Sequence, residues 1–376
     1  MRNKILHLMS DHQAAFSDVR KFNDKYPGRN IYLVFTKKKY LRFSLNTDDY
    51  FIIDYKKIRT NPICLDEVKY VVAHYMSMDK IDYIREQVTD EIEVIWDVYG
   101  YDLYNQFLET LGYNIFYKKN YEYSHYFLKR KFPSICKWTS SLFKEDVYSD
   151  KSIKEYFNYI TNRVSSLLVR CETDALCLNL FIKKSIAYTL HIHSIMNENS
   201  KAAFNNGDNI LVGNSASLSN NHLYALSYLN KLTINKGIVY VPLSYGGFTE
   251  YKNDIEQKYV SAFGDERVSI LKQRLPRDEY FNIIHSCSVM IMSAWRQESL
   301  GNIMEGLRNG VKVFLSRKSP VYFTLKEKGF KVFALEDIKE GSLSPLSLED
   351  KVYNYQKCVE RYSEKNYNLV DEVFCI

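Results

Sequence analysis

The sequence predicts an α/β protein with two parallel sheets, each in its own domain, and three observations lead to this fold class. The chain has 376 residues, more than one hydrophobic core usually organises, so two domains are expected. Short apolar runs alternate with segments of helical spacing in both halves, as in parallel sheets joined by crossover helices. A polar, Asn-rich stretch at 197–208 separates the halves and is interpreted as a linker.

These observations set the expected limits of the domains. We predict an N-terminal Rossmann-like domain over residues 1–200 and a C-terminal Rossmann-like domain over 208–347. The charged, helical tail at 348–376 is expected to pack back toward the N-terminal domain.

Apolar runs of strand length define the elements of the first half. A helix with Phe16, Val19 and Phe22 at helical spacing follows the first strand. Residues 162–178 and a helical stretch to Met196 complete this half. The predicted strands are 5–9, 30–36, 50–55, 69–74 and 93–96.

The second half repeats the alternation. Its predicted strands are 209–212, 237–242, 268–271, 289–292 and 312–315, and its predicted helices are 220–229, 254–263, 276–287 and 303–308.

Polar residues close several strands of the first half. Ligands bind beyond the carboxyl ends of parallel strands, so these residues are site candidates. Each also has a structural interpretation, because a histidine near a strand end is often a satisfied turn residue, and Asp97 or Asp102 could cap the next helix. The residues are Asp11, His12, His74, Tyr75 and the segment 96–102.

Three turns of small polar residues follow strands of the second half: GNSA at 213–216, SYGG at 244–247 and WRQESLGN at 295–302. Glycine permits close backbone approach, and a helix N-terminus favours an anion. Arg296 adds a cation suited to a diphosphate. The first turn matches neither a P-loop nor G-x-G-x-x-G, so it indicates a phosphate or carboxylate ligand only in combination with the other two.

Composition excludes several classes of protein. The net charge of +6 is too mild to argue for nucleic acid but suits an anionic ligand or membrane surface. Seven cysteines without C-x-x-C support neither a zinc site nor a disulfide framework. No signal peptide or membrane span is predicted, so we expect a cytoplasmic protein or one attached to the membrane from that side. The basic, aromatic segment at 113–144 fits a membrane surface and a packed helix about equally.

The motifs together resemble glycosyltransferase family 56, the 4-N-acetylfucosaminyltransferase family. The resemblance rests on VGNSASLSNNH, VPLSYGG and RQESLGN followed by KVFL, with HLMSDH and WDVYGYDLY in the first half. It implies a GT-B fold, with two Rossmann-like domains facing across a cleft. Glu298 stands where the family more usually has Gln, which puts the sugar specificity in question.

The resemblance also implies an activity. The expected reaction is metal-independent transfer of a 6-deoxyamino sugar such as Fuc4NAc from a TDP- or UDP-linked donor to an undecaprenyl-diphosphate-linked saccharide. The expected role is in O-antigen or common antigen synthesis at the inner face of the bacterial inner membrane. No Asp-x-Asp occurs, no cofactor is expected, and nucleic acid is not an expected partner. A sugar-nucleotide 2-epimerase of similar layout and a non-catalytic nucleotide-sugar-binding subunit are the alternatives.

The site residues follow from the motifs. Glu298 is expected to accept a hydrogen bond from a ribose or sugar hydroxyl, with Glu305 as a less favoured alternative. Asn221 and His222 have a capping or packing role as an alternative to ligand binding. Asp102, Asp11 and His12 are the candidates for a general base, with Asp102 preferred because the family-like element contains it. The predicted donor-binding residues are Gly213, Asn214, Ser215, Asn221, His222, Ser244, Tyr245, Gly246, Gly247, Arg296, Gln297, Glu298, Gly301 and Asn302.

Overall fold

The computed structural model of the chain describes residues 2–11, 13–36, 50–53, 63–122, 150–192, 194, 196, 204 and 207–374. Within these residues the chain forms two compact units. The first unit contains the described residues of 1–113, 150–195 and 362–376, and the second contains those of 114–149 and 196–361. His12 and residues 123–149 of the basic, aromatic segment lie outside the described residues, as does most of the predicted linker.

In the described part of the first unit, seven parallel strands form one sheet in the order β3-β2-β1-β4-β5-β6-β7. The central strands are buried almost throughout, as expected where a parallel sheet is covered on both faces. The strands are β1 (Lys4–Ser10), β2 (Asn30–Phe35), β3 (Tyr50–Ile53), β4 (Val68–His74), β5 (Glu93–Asp97), β6 (Val164–Val169) and β7 (Ala187–Leu190).

Helices connect these strands. The carbonyls that end the first helix are satisfied by Asn30, whose Nδ2 donates to Phe22 O at 3.0 Å and Tyr26 O at 2.9 Å. The elements are α1 (Gln13–Lys25), α2 (Met78–Gln87), a π-helix (Asp102–Leu108), α3 (Asp150–Arg163) and α4 (Glu172–Ile182).

The described second unit contains a six-stranded parallel sheet in the order β10-β9-β8-β11-β12-β13. Its strands are β8 (Asn209–Val212), β9 (Val239–Pro242), β10 (Val268–Leu271), β11 (Cys287–Met292), β12 (Lys312–Leu315) and β13 (Phe333–Ala334). Its helices are α5 (His222–Leu229), α6 (Thr249–Phe263), α7 (Arg277–Ser286), α8 (Leu300–Arg308), α9 (Pro320–Glu327) and α10 (Leu348–Arg361).

The C-terminal residues divide between the two units. Helix α10 packs against α8 of the second unit. After α11 (Glu364–Asn368), Val370 and Phe374 enter the core of the first unit beside Ile5, Phe22 and Tyr70.

The predicted fold class, two parallel α/β sheets, is confirmed. Each of the ten predicted strands is present within a residue or two of its expected limits. Strands β6, β7 and β13 were not predicted, and neither was helix α9. Among the described residues, no helix combines the length and the apolar character needed to cross a membrane.

Candidate functional site

The three predicted turns lie at one edge of the second sheet. The β8 turn (213–221), the β9 turn (243–248) and the β11 turn (293–299) follow strands that are direct neighbours and run parallel. Their carboxyl ends therefore lie side by side, where open α/β sheets bind ligands.

The β8 turn begins with a residue that must be glycine. Gly213 has φ of +72°, and a Cβ there would lie 2.7 Å from His222 Nε2 and 3.1 Å from Asn220 Oδ1. Asn220 Oδ1 accepts a hydrogen bond from Asn214 N at 3.0 Å, and its Nδ2 donates to Ser215 Oγ at 2.9 Å. The amide of Asn220 thus folds the turn back on itself and fixes the backbone of Gly213 to Ser215.

The β8 and β9 turns are in direct contact. Ala216 N donates to Tyr245 O at 2.8 Å, and Asn214 Nδ2 donates to the Tyr245 hydroxyl at 2.9 Å. Asn214 Oδ1 is buried and has no hydrogen-bond partner among the described residues. It is an acceptor available to a ligand hydroxyl or N–H. Ser244 precedes this contact and is partly exposed.

Glu298 joins the β11 turn to the β8 turn. Its Oε1 accepts from Asn220 Nδ2 at 3.0 Å, and its Oε2 accepts from Ser219 Oγ at 2.9 Å and lies 3.0 Å from Arg296 Nη2. Arg296 Nε also donates to Ser219 Oγ at 3.1 Å. Both side chains are less than a tenth exposed, so the Arg296 charge is neutralised within the protein. The predicted ligand roles of Arg296 and Glu298 are not favoured by this geometry, which gives the pair a role in holding the turns.

We expect Arg296→Ala to destabilise the second unit by about 2 kcal/mol, because Glu298 would keep its neutral partners but lose its counter-charge in a nearly buried position. Thermal unfolding measures the loss. Adding Glu298→Gln should restore part of the stability, since an amide needs no counter-charge. A double variant as unstable as the single one would contradict this role.

Asn221 and His222 lie behind the turn. Asn221 has φ of +53°, and its Oδ1 accepts from Tyr117 N at 2.8 Å and Asn120 Nδ2 at 3.0 Å. It therefore fixes the segment around Tyr117. His222 is fully buried, its Nδ1 lies 2.9 Å from the Tyr251 hydroxyl, and burial lowers its pKa to about 3. The packing interpretation of both residues is favoured.

Helix α8 begins beside these turns. Ser299 precedes it with φ of +62° and makes no side-chain capping hydrogen bond. The first N–H groups of a helix have no partner within it, so this end is suited to an anion. Gly301 is exposed there, and a Cβ would meet nothing within 4 Å. Asn302 Nδ2 donates to the Tyr280 hydroxyl at 3.2 Å, and Gln297 is buried and accepts from Arg296 through its carbonyl.

The first unit contains a buried charged network at the carboxyl edge of its sheet. Asp97 Oδ1 lies 2.7 Å from Arg170 Nη1, and Asp97 Oδ2 lies 2.8 Å from His74 Nδ1. Asp18 Oδ2 accepts from the Tyr99 hydroxyl at 2.6 Å and lies 3.2 Å from Arg170 Nη2. The two carboxylates, one guanidinium and the imidazolium of His74 would balance in charge. The strand-end rule identified His74 and Asp97 but neither Asp18 nor Arg170.

The hydrogen bonds of His74 favour its protonated form. Burial alone would lower its pKa, but its hydrogen bonds to Asp18 and Asp97 outweigh burial and raise it. Its Nε2 lies 2.9 Å from His7 Nδ1, and His7 Nε2 lies 3.0 Å from Asn30 Oδ1. A neutral His7 donating to Asn30 and accepting from His74 satisfies both contacts. Burial lowers the pKa of His7 to about 3, in agreement with that assignment.

Three side chains of the same network lie close enough together to bind a metal cation. Atoms of Asp18, His74 and Asp97 lie within 4.8 Å of one another. The guanidinium of Arg170 already contacts both carboxylates, however, and a metal would have to displace that charge. We therefore assign the cluster a structural role.

Asp102, the preferred base candidate, is also buried. Its Oδ2 accepts from Met76 N at 2.9 Å and Trp96 Nε1 at 2.8 Å, and its Oδ1 accepts from Tyr99 N at 3.0 Å. Burial raises its pKa. These contacts favour the structural interpretation of Asp102. Asp11 lies just after β1 and is partly exposed, so it remains a candidate.

Two parallel α/β units with such turns define the GT-B fold, which solved structures share. HepE of Anabaena in complex with UDP gives a TM-score of 0.62 at 10% identity, covering 98% of this chain and 99% of that chain. A glycosyltransferase of Rickettsia africae gives 0.61 at 11% identity, covering 99% and 97%. A UDP-forming trehalose-phosphate synthase of Burkholderia xenovorans gives 0.62 at 8% identity, covering 100% and 98%. At these identities the likeness establishes the fold.

A family model matches part of the chain. Residues 181–346 match the family model described as 4-alpha-L-fucosyltransferase, glycosyl transferase group 56. The resemblance to family 56 is confirmed over that range, and the chain is a glycosyltransferase.

Proposed function

We propose that the chain transfers a 6-deoxyamino sugar, Fuc4NAc or a close relative, from a nucleotide diphosphate to an undecaprenyl-diphosphate-linked saccharide. The observation that carries the donor half of this proposal is the contact between the β8, β9 and β11 turns beside the N-terminus of α8. HepE is described in complex with UDP and with UDP and glucose, which supports a nucleotide donor.

The chemistry of transfer explains why such turns are useful. Breaking the bond from the sugar to the diphosphate builds negative charge on the leaving phosphate, and fixed N–H donors stabilise that charge without reorganising. The N–H groups at the start of α8, near Gly301, supply such donors. Asn214 Oδ1 can accept a hydrogen bond from a donor hydroxyl. In this scheme the leaving group is stabilised by the protein alone, with no bound metal required.

The acceptor half of the proposal rests on the first unit. An inverting transfer needs a base that removes the proton of the acceptor hydroxyl. Asp11 is the base in this scheme, since it is partly exposed after β1, whereas Asp102 is buried among donors. The acceptor is lipid-linked, so we place the protein at the cytoplasmic face of the inner membrane, in surface polysaccharide synthesis.

We expect TDP or UDP to raise the unfolding temperature, and the matching monophosphate to raise it less, because the second phosphate occupies the α8 N-terminus. A ligand at 100 times its Kd stabilises the folded state by about 2.7 kcal/mol. A thermal-shift series over TDP, UDP, GDP and the monophosphates, with and without EDTA, measures this. Stabilisation that requires Mg²⁺, or equal shifts by mono- and diphosphates, would contradict the proposed site.

Turnover separates the proposal from its alternatives. Incubation with nucleotide sugars and extracted lipid-linked saccharides should yield a longer saccharide and a nucleoside diphosphate. Conversion of the donor sugar without any acceptor would indicate the epimerase. Nucleotide binding without either reaction would indicate the non-catalytic subunit.

A further inference from the structure

Tyr75, directly after β4, has a backbone conformation that its side chain disfavours. Its φ is +61°, in the left-handed region. A Cβ makes this conformation unfavourable because it approaches the following carbonyl oxygen. Bulky residues are found there when the surroundings impose it, and such residues cluster at binding sites.

The surroundings impose it here through every polar backbone group of Tyr75 and Met76. Tyr75 N donates to Asp97 O at 3.1 Å, and Tyr75 O accepts from Lys80 Nζ at 2.8 Å. Met76 N donates to Asp102 Oδ2 at 2.9 Å, and Met76 O accepts from Gln106 Nε2 at 2.8 Å. Four hydrogen bonds therefore fix the bend after β4.

Two of these partners are buried charged residues. Lys80 and Asp102 are both fully buried. Burial lowers the pKa of Lys80 to about 8 and raises that of Asp102. Buried ionic groups are a weak source of stability compared with apolar residues of the same volume. Their presence is explained if the conformation of Tyr75 is itself required.

Asp102 also fixes the turn that follows β5. It accepts from Trp96 Nε1 in β5 and from Tyr99 N within the turn, where Gly100 has φ of +84°. This arrangement places Tyr101 beside Tyr75. The two rings stack with centroids 6.2 Å apart and planes inclined by 22°. Tyr101 is 45% exposed and Tyr75 is partly exposed.

We propose that the rings of Tyr75 and Tyr101 form a stacking surface for a pyranose ring of the acceptor saccharide. The proposal rests on the proposed function, because it takes the acceptor to be a saccharide bound by the first unit. A pyranose presents apolar C–H groups on its faces and hydroxyls at its rim. An exposed aromatic face at the carboxyl edge of a parallel sheet matches that chemistry. Lys80 and Asp102 are positioning residues for this surface.

The test uses the whole 376-residue chain and saturation-transfer difference NMR. The probes are methyl glycosides of glucose, galactose, N-acetylglucosamine, N-acetylmannosamine and glucuronic acid. The variants are Tyr101→Ala, Tyr101→Phe and Tyr75→Gly. Tyr188→Ala is the matched control, because Tyr188 is a tyrosine of the same unit, on β7, with a similar exposure of 40%. The KM for the lipid-linked acceptor is measured with the same variants.

We expect at least one glycoside to receive saturation from the wild type. Tyr101→Ala should abolish that signal and raise the acceptor KM about tenfold, the equivalent of one aromatic contact, with kcat changed less. Tyr101→Phe should keep both, since the ring is retained. Tyr75→Gly should abolish the saturation transfer to the glycoside. Its unfolding temperature should be no lower than that of the Tyr188→Ala control, because glycine adopts positive φ freely.

Several outcomes would overturn the inference. They are an unchanged acceptor KM in Tyr101→Ala, an equal loss in Tyr188→Ala, and no saturation of any glycoside by a wild-type protein that binds nucleotide. The nucleotide-induced thermal shift is the independent readout, and it should be the same in all variants. If the wild type shows neither that shift nor transfer, the proposed function itself fails. If it shows both and Tyr101→Ala behaves as the wild type, only the stacking surface fails.

Discussion

Asp97→Asn should destabilise the first unit by about 3–5 kcal/mol, the loss expected when one partner of a buried ionic network is removed. Asp97 is fully buried between Arg170 and His74. The substitution keeps the shape of the side chain but leaves the Arg170 and His74 cations with Asp18 as the single facing carboxylate. Hydrogen exchange of the β4 and β5 amides at increasing urea measures the loss in the first unit separately from the second.

The loss should depend on pH, with a sign set by His74. Its pKa is raised in the folded wild type, so its contribution to stability is complete below the ordinary value of about 6.5 and is lost as pH rises through the folded pKa. Without Asp97, part of what raises this pKa is lost, so the folded pKa of His74 is lower in the variant and protonation of His74 stabilises the variant less. The difference between wild type and variant is therefore larger at pH 6 than at pH 9.

The exposed Asp90 provides a matched control. It lies 3.7 Å from Arg163 and is fully exposed, so Asp90→Asn should change stability by less than about 0.5 kcal/mol at any pH. Equal losses in the two variants, or a loss in Asp97→Asn that does not vary with pH, would show that the network is not held by charge.

Most of the strands that were predicted have a simple property in common: each contains a short apolar run that its sheet buries. NILV at 209–212 and the VMIM that ends β11 are examples. Strand β6, VSSLLV, was missed because two serines interrupt it and a helical sequence follows directly. Strand β7, AYTL, was missed because it has only four residues and lies in the stretch up to Met196 that was interpreted as helical; that interpretation is wrong for Ala187–Leu190.

The turns of the candidate site could be predicted because small residues at strand ends are a local signal. The contact between Arg296 and Ser219 could not, since Ser219 lies in a different turn and only the fold brings it within 3.1 Å. The buried charged network of the first unit could not be predicted from the sequence either. Asp18 lies on α1 and Arg170 follows β6, and no spacing in the sequence relates them.

Asp102 illustrates a limit of motif resemblance. The family-like element WDVYGYDLY identified it as important, but a motif does not say whether a carboxylate touches substrate or holds the backbone. Its contacts with Met76, Trp96 and Tyr99 supply that information. We therefore expect Asp102 to matter because it positions the backbone around Tyr75 and Tyr101.

Gly247→Ala should destabilise the second unit by about 3 kcal/mol, from the steric clash and the positive φ together, and abolish the stabilisation by nucleotide. Gly247 has φ of +59°, and a Cβ there would lie 2.2 Å from Ala216 O. That atom is backbone of the β8 turn and cannot swing aside as a flexible side chain would. The β9 turn must therefore move away, which stretches the hydrogen bond from Ala216 N to Tyr245 O.

The Gly341→Ala variant distinguishes the effect of the steric clash from the free-energy cost of a positive φ. Gly341 lies in the same unit with φ of +80°, and a Cβ there would meet nothing within 4 Å. It should cost about 1 kcal/mol, the penalty of positive φ alone, and leave the nucleotide-induced shift intact. Thermal unfolding of both variants, with and without nucleoside diphosphate, gives the comparison. The close approach of the β8 and β9 turns does not form the donor site if Gly247→Ala loses no more stability than Gly341→Ala and still shows the nucleotide-induced thermal shift.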